Sequence, residues 1–324
     1  MKRFKNILYV NDATDDQAWA IARAVSLAEN KQADLTVVDV IPSEVITAGI
    51  GFPPGGPIST ELRAAVVADH QKGLEALVKP YQQNLSIRLE VLVGNTFLEV
   101  IRAVLRNAYD LVIKPAENPN WLERLFGNHD MNLLRQCPCP VWLMKPGEKS
   151  SYNNILAAVD FDPTNPLGSD LDLNREILEL AGLLALSNAA SLHLAHAWEA
   201  FVEAPPLLKG AISLMEAPYY VEKTRALHRK GLYMLGGEMR KWIGVDTYDY
   251  LSPSLHLTKG PAKKVIPRLA TELQADLVVM GTIARTGISG LIIGNTAETI
   301  LDQLSCSVLA IKPPGFKTPV RLAE

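Results

Sequence analysis

The sequence has little cysteine, no excess of basic charge and no long apolar run. Its 324 residues include three cysteines, too few for a disulfide framework. Lysine and arginine number 32 against 35 acidic residues, which argues against nucleic acid as the main partner. No stretch approaches the roughly 18 apolar residues of a membrane span, and the apolar run 7–10 is too short for a signal peptide. We therefore expect a soluble, cytoplasmic protein without membrane insertion.

What the sequence does contain is an internal repeat. Residues 5–12 return as 153–160, residues 110–114 as 276–280, and residues 137–146 as 304–313. Three blocks that recur in the same order indicate two copies of one structural unit, and the length suits two domains of ordinary size. We place the boundary in the polar stretch 147–151, which predicts domains 1–150 and 151–324.

Within each copy, short apolar runs alternate with longer segments of helical periodicity. This alternation predicts an α/β fold in which each copy is a Rossmann-like domain with a five-stranded parallel sheet and helices on both faces. Ligands of such sheets bind beyond the carboxyl ends of the strands, so the loops there are the candidate sites. The predicted strands are residues 7–10, 35–41, 87–93, 111–114 and 141–144, then 155–159, 191–197, 251–257, 277–280 and 308–311.

The most informative of these loops follows the fourth strand of the second copy, at residues 281–294. It contains four glycines, which allow close approach of a ligand to the backbone, and Arg285 is its only charged residue. Gly294 precedes a predicted helix that runs roughly to Leu304, and free N–H groups at a helix start favour an anion. We predict Asn295 as the N-cap, with Glu298 completing a capping box. The pattern favours an anion site over a plain glycine-rich turn, and it fits neither the P-loop nor the dinucleotide fingerprint.

This loop, the strand-ending Asp160 and the closing segment 306–313 resemble a universal stress protein domain. Members of that family that bind ATP carry Gly-x-x-Gly, nine further residues, then Gly followed by Ser or Thr. Gly281, Ala284, Gly294 and Asn295 occupy those positions here, so two of the four differ from the pattern. Over both copies the chain resembles the tandem-domain, E-type members. The resemblance implies two adenine nucleotide alpha hydrolase-like domains packed as a pseudo-dimer through their last strands, and a homodimer of such chains.

The resemblance also implies a nucleotide site in the second copy. The implied ligand is ATP or another adenine nucleotide, with Mg²⁺ held through the phosphates. From the residues alone, Asp160 and Gly260 are also typical turn residues. The implied phosphate-side residues are Gly281, Ala284, Arg285, Gly294, Asn295 and Thr296, and the implied nucleoside-side residues are Asp160, His196, Ala197 and Gly260.

The equivalent loop of the first copy lacks the features that suit phosphate. Pro115 stands in place of Gly281, and the segment also contains Pro119, Glu117 and Glu123. Proline removes a backbone donor, and the carboxylates would repel phosphate. We expect that this copy has lost nucleotide or changed its ligand.

Two other patterns resemble metal sites, but their spacing argues against metal binding. Cys137 and Cys139, near His129, are spaced more closely than zinc ligands prefer, and we expect small buried thiols. His193 and His196 lie an odd number of residues apart on one predicted strand, so they should point to opposite faces.

The sequence leaves three function hypotheses open. No Ser/His/Asp set or paired carboxylates can be assigned, so the first hypothesis is a non-catalytic stress-response protein that binds an adenine nucleotide. The second is an enzyme, either a slow ATPase or a nucleotidyl-transferring relative. The third is a protein that acts through protein partners or an apolar ligand. The apolar side chains of residues 201–220 suit either packing between the copies or an apolar ligand pocket. Separately, residues 42–59 suggest a mobile cover over the strand ends of the first copy.

Overall fold

The computed structural model describes residues 4–11, 18–43, 57–117, 127–148, 151–200, 217–282 and 294–322. These residues form two compact units. The N-terminal unit contains the described residues up to 148 together with the segment 316–322, and the C-terminal unit contains the described residues from 151 to 315.

The sheet of the N-terminal unit is parallel, with the strand order β3-β2-β1-β4-β5. Helix α1 packs against β1, β2 and β4. A 3₁₀ turn at Lys79–Tyr81 follows the second helix. The elements in chain order are β1 (Asn6–Asn11), α1 (Ala18–Lys31), β2 (Asp34–Ile41), α2 (Pro57–Val78), β3 (Ile87–Val93), α3 (Thr96–Asn107), β4 (Leu111–Pro115), α4 (Asn128–Gln136) and β5 (Val141–Met144).

The C-terminal unit repeats this topology, with a parallel sheet in the order β8-β7-β6-β9-β10. It differs by a short extra helix before its third strand. The elements are β6 (Asn154–Ala158), α5 (Leu171–Asn188), β7 (Ser191–Trp198), α6 (Ala217–Ile243), α7 (Val245–Leu251), β8 (Ser254–Lys259), α8 (Ala262–Glu272), β9 (Leu277–Gly281), α9 (Asn295–Leu301) and β10 (Ser307–Ile311).

The repeat extends to single hydrogen bonds. Asp110 accepts the backbone N–H groups of Lys5 and Asn6 at the start of β1. Asp276 accepts those of Asn153 and Asn154 at the start of β6. A carboxylate is a strong acceptor for the backbone N–H groups at the start of a strand, and both copies use the same arrangement.

The central strands are apolar because helices and neighbouring strands cover them. Every residue of β5 and of β10 is buried, as is typical of parallel strands enclosed on both faces. The predicted α/β fold with five parallel strands in each copy is confirmed. No helix among the described residues has the length and apolar character that a bilayer crossing requires.

Two predicted boundaries were wrong. The strand predicted at 251–257 begins at Ser254, and Leu251 is the last residue of α7. Ser252 then adopts a left-handed conformation with φ 42° and its N–H bonds the Tyr248 carbonyl, which ends the helix. The helix expected to reach Leu304 ends at Leu301. For the first of these boundaries the reason is that a short apolar run suits a helix as well as a strand, so periodicity could not distinguish the end of α7 from the start of β8.

Candidate functional site

The carboxyl ends of three neighbouring strands meet in the C-terminal unit. Ala158 of β6 pairs with Met280 of β9 on one side and with Ala195 of β7 on the other. Asp160, Ala197 and Thr282 each lie two residues beyond these paired positions. The register therefore brings the predicted nucleoside and phosphate sides to one edge of the sheet, where ligands of open α/β sheets bind.

The loop after β9 is closed at its base. Thr282 is buried, its N–H donates to the Ile311 carbonyl at 3.1 Å, and its own carbonyl accepts the N–H of Gly294 at 3.0 Å. A Cβ at Gly281 would lie 3.0 Å from Cδ2 of Leu173, so glycine allows α5 to pack closely here. The two ends of the loop 283–293 thus start from adjacent backbone at the sheet edge.

A buried cation lies at this base, and the sequence analysis missed it. Nζ of Lys312 donates to the Thr282 hydroxyl at 2.6 Å, and Lys312 is 6% exposed. Its sequence signal was the Lys-Pro pair that ends both copies, at Lys312 and again at Lys145. The ammonium adds positive charge beneath the loop predicted to hold an anion.

Gly294, and not Asn295, is the N-cap of α9. Gly294 has φ −59° and ψ 135°, and Asn295 is the first helical residue. No side chain caps this helix, so the predicted capping box with Glu298 was wrong. The reason is tertiary, because the hydrogen bond from Gly294 to Thr282 fixes where the chain turns into the helix. Asn295 and Thr296 are exposed on the first turn, while Ala284 and Arg285 lie outside the described residues.

Of the residues predicted for the nucleoside side, Asp160 lies two positions beyond the end of β6, which it was expected to end, and Gly260 directly follows β8. Buried Asn174 fixes the backbone of Asp160: its Nδ2 donates to the Asp160 carbonyl at 2.8 Å and its Oδ1 accepts the Asp160 N–H at 3.3 Å. The Asp160 carboxylate is exposed. Gly260 has φ 130°, a conformation that L side chains rarely adopt, and its N–H bonds the Trp198 carbonyl at the end of β7.

The side chain of His196 is buried rather than open to a ligand. Nδ1 lies 3.1 Å from the Val159 carbonyl, which can only accept, so this nitrogen carries a proton. Nε2 lies 2.8 Å from Nδ1 of His228 on α6. The Phe161 ring stacks on His196 with 4.0 Å between ring centroids. His196 therefore supports the segment 159–161 from beneath, and no sequence pattern indicates its contacts with Phe161 and His228.

The N-terminal unit has a polar contact at the equivalent place. Strands β1 and β2 pair in the same register as β6 and β7. In that register Asn11 pairs with Asp39, so Asp39 of β2 is the counterpart of His196 of β7. Oδ2 of Asp39 lies 2.7 Å from Nδ1 of His70 on α2. Each unit thus joins its second strand to the following long helix through a histidine.

The residues weighed as metal ligands have other partners. Cys137 and Cys139 are buried with their Sγ atoms 3.6 Å apart, and the hydrogen bond to Cys137, together with burial, raises the pKa of Cys139 well above its ordinary value. His193 lies 3.1 Å from His256 of β8, and burial lowers the pKa of both rings. Within the described ranges, no group of three or more His, Cys, Asp or Glu residues could hold a metal ion.

Comparison with known proteins finds the same repeat. The model of the Universal stress protein family matches residues 3–145 and again residues 151–312. Universal stress protein E of Escherichia coli K12 is 31% identical over 334 aligned positions, which span 100% of this chain and 99% of that protein. The Universal stress protein E homolog of Haemophilus influenzae is 31% identical over 322 positions, spanning 96% and 98% of the two chains.

Solved structures agree with this likeness. A protein of unknown function from Pseudomonas aeruginosa PAO1 superimposes with a TM-score of 0.65 at 27% identity, covering 96% of this chain and 93% of that one. A universal stress protein from Archaeoglobus fulgidus shares the fold, with a TM-score of 0.59 at 16% identity over 95% and 98% of the two chains. Two matched domains and full-length relatives lead to one conclusion: the chain belongs to the universal stress protein family.

Proposed function

We propose that this protein is a non-catalytic, cytoplasmic stress-response protein whose C-terminal unit binds one adenine nucleotide, and that two chains form a homodimer. The observation that carries the nucleotide proposal is the closed base of the loop after β9. The hydrogen bond between Gly294 and Thr282 returns the loop to the sheet edge, where the register also places Asp160 and Ala197. Phosphates on one side and a nucleoside on the other would match that arrangement.

The phosphate side of the proposed site is built largely from backbone. Gly281 and Gly294 bracket the loop and place no side chain in it, so N–H groups can approach an anion closely. Asn295 and Thr296 supply exposed polar side chains and N–H groups at the start of α9. Ala284 and Arg285 complete this side by the family pattern, and Mg²⁺ would be held through the phosphates themselves.

The nucleoside side consists of Asp160, Ala197 and Gly260. The exposed Asp160 carboxylate is a hydrogen-bond acceptor for ribose hydroxyls, and Asn174 holds its backbone in place. Gly260 brings bare backbone to the edge beside β7. His196 acts as a positioning residue, because its ring packs under Phe161 instead of facing the edge.

Calorimetric titration of MgATP into wild type and into Gly294→Asp tests this proposal. Aspartate is a good N-cap at this unstrained φ, so the variant should fold normally while its carboxylate repels the phosphates. We expect one site per chain in wild type and none in the variant. Gly237→Asp is the control, since a Cβ there meets nothing within 4 Å, and it should bind like wild type.

Other outcomes of the titration would contradict specific parts of the proposal. Two sites per chain would show that the N-terminal unit also takes nucleotide. No binding at millimolar MgATP would exclude the nucleotide ligand and favour a protein partner or an apolar ligand. Steady phosphate release during incubation with MgATP, lost in Gly294→Asp, would make the protein a slow ATPase.

A further inference from the structure

The turn that joins α4 to β5 brings two of the three cysteines of the chain together. Cys137 is the C-cap of α4, and its N–H bonds the Leu133 carbonyl at 2.9 Å. Cys139 lies two residues further on, and the carbonyl of the following Pro140 accepts the Val112 N–H at 3.0 Å. Both cysteines therefore lie on backbone that is anchored to α4 on one side and to β4 on the other.

The two thiols are close enough to react with each other. Their Sγ atoms lie 3.6 Å apart in a hydrogen bond, and a disulfide requires about 2.05 Å. Residues two apart in sequence have Cα atoms at most about 7 Å apart, and disulfides usually join Cα atoms roughly 4.4–6.8 Å apart. Bond formation therefore requires the Sγ atoms to approach by about 1.5 Å, through rotation of the side chains and a small shift of the turn.

Exposure and pKa assign the two thiols different roles. Cys139 is 8% exposed and Cys137 is completely buried, so a small oxidant meets Cys139 first. The hydrogen bond with Cys137, followed by burial, raises the pKa of Cys139, and the Asp110 carboxylate acts in the same direction. Because the thiolate is the reactive form of cysteine, Cys139 reacts slowly at neutral pH, and we expect a response to sustained rather than brief oxidation.

The C-terminal copy has one of these cysteines and lacks the other. Cys306 occupies the position of Cys139 and is buried to the same degree, with 7% exposure, but Leu304 stands in place of Cys137. The C-terminal copy contains no second cysteine. The chain thus provides an internal comparison, since the two thiols are similar in exposure and only Cys139 has another cysteine two residues away.

We propose that Cys137 and Cys139 form a reversible intrachain disulfide when the protein is exposed to a hydroperoxide. The Cys139 sulfur first attacks one peroxide oxygen: an S–O bond forms, the O–O bond breaks, and the other oxygen leaves with the thiol proton as water or an alcohol. The Cys137 sulfur then attacks the resulting sulfenic acid, the S–S bond forms, the S–O bond breaks, and the hydroxyl leaves as water with the Cys137 proton.

The balance of this reaction closes without a further reactant. Two thiols are oxidised to one disulfide while one hydroperoxide is reduced, and a small dithiol reverses the reaction by thiol–disulfide exchange. Because Cys137 already contacts Cys139, it captures the sulfenic acid before a second peroxide converts it to the irreversible sulfinic acid. The proposal does not depend on nucleotide binding by the C-terminal unit.

The test is treatment of the reduced, folded wild-type chain with millimolar hydrogen peroxide at about pH 8, where more of the thiol is ionised. The peroxide is then removed with catalase, and the remaining thiols are alkylated after unfolding. We expect one alkylated cysteine, Cys306, and a disulfide between Cys137 and Cys139 in peptide mass spectrometry. The rate should not depend on protein concentration, and dithiothreitol should restore all three thiols.

Cys137→Ser and Cys139→Ser are the matched control variants. Without Cys137, Cys139 should proceed to sulfinic acid; without Cys139, the buried Cys137 should remain a thiol. A wild-type chain that keeps all its thiols, gains oxygen at Cys139 or forms links only between chains overturns the proposal. Loss of the Cys306 thiol as fast as the other two also overturns it, because oxidation would then follow unfolding. The decisive measurement uses wild type, so it stands even if a variant does not fold.

Discussion

Two glycines of helix α6 should respond in opposite ways to the same substitution. A Cβ at Gly231 would lie 2.4 Å from Cε2 of Phe161 and 3.0 Å from two further ring atoms, whereas one at Gly237 would meet nothing within 4 Å. Alanine at a helical glycine gains about 0.5–1 kcal/mol. Overpacking a filled core costs about 1–3 kcal/mol. We therefore expect Gly237→Ala to stabilise by about 0.5–1 kcal/mol and Gly231→Ala to destabilise by about 1–2 kcal/mol.

The collision at Gly231 has a second consequence, for the candidate site. Phe161 is 1% exposed and stacks on His196, so a displaced ring moves the segment next to Asp160. Gly231→Ala should therefore also weaken MgATP binding, while Gly237→Ala should not.

The free energies of unfolding of both variants are measured by urea titration followed by circular dichroism. Equal stabilisation by both substitutions would refute the packing of Phe161 between α6 and His196.

Two further predictions concern pH. Burial, and after it repulsion from Asp130, raises the pKa of Glu117. The folded protein therefore favours the neutral carboxyl, and this stabilisation is present at low pH and lost as pH rises through the raised pKa. Glu117→Gln should raise the urea midpoint at about pH 8 and leave it unchanged at about pH 4; an equal gain at both would contradict this. Burial lowers the pKa of His193 and His256, so stability is lost as pH falls through their lowered pKa values. His256→Gln should reduce the loss of melting temperature between about pH 7 and pH 5, and a loss as large as in wild type would show that this pair does not contribute.

The fold could be predicted because the repeat and the strand pattern carry it directly. The bounds of β3 and β5 match the predicted runs 87–93 and 141–144. For β5 the reason is burial, since a parallel strand enclosed on both faces is a short apolar run. Where the sequence predicted the wrong helix start, a tertiary contact determined the structure. Asn295 looks like an N-cap, but the hydrogen bond between Gly294 and Thr282 sets the start of α9.

The candidate site was predicted in part. The positions of Asp160, Gly260, Gly281 and Gly294 at one edge follow from topology, which the sequence pattern contains. The stacking of Phe161 on His196 of β7 could not be foreseen, because the two residues lie far apart in the chain and periodicity does not report contacts between elements.

The closed base of the loop after β9 makes this loop an exchangeable part. Because Gly294 bonds Thr282, the two ends are held together by the scaffold, and the entropic cost of a longer loop grows only slowly with its length. Residues 283–293 could then be lengthened, shortened or replaced while the sheet beneath keeps its register. After gene duplication, substitutions within this single loop can change the ligand of one copy while the rest of the domain keeps its fold.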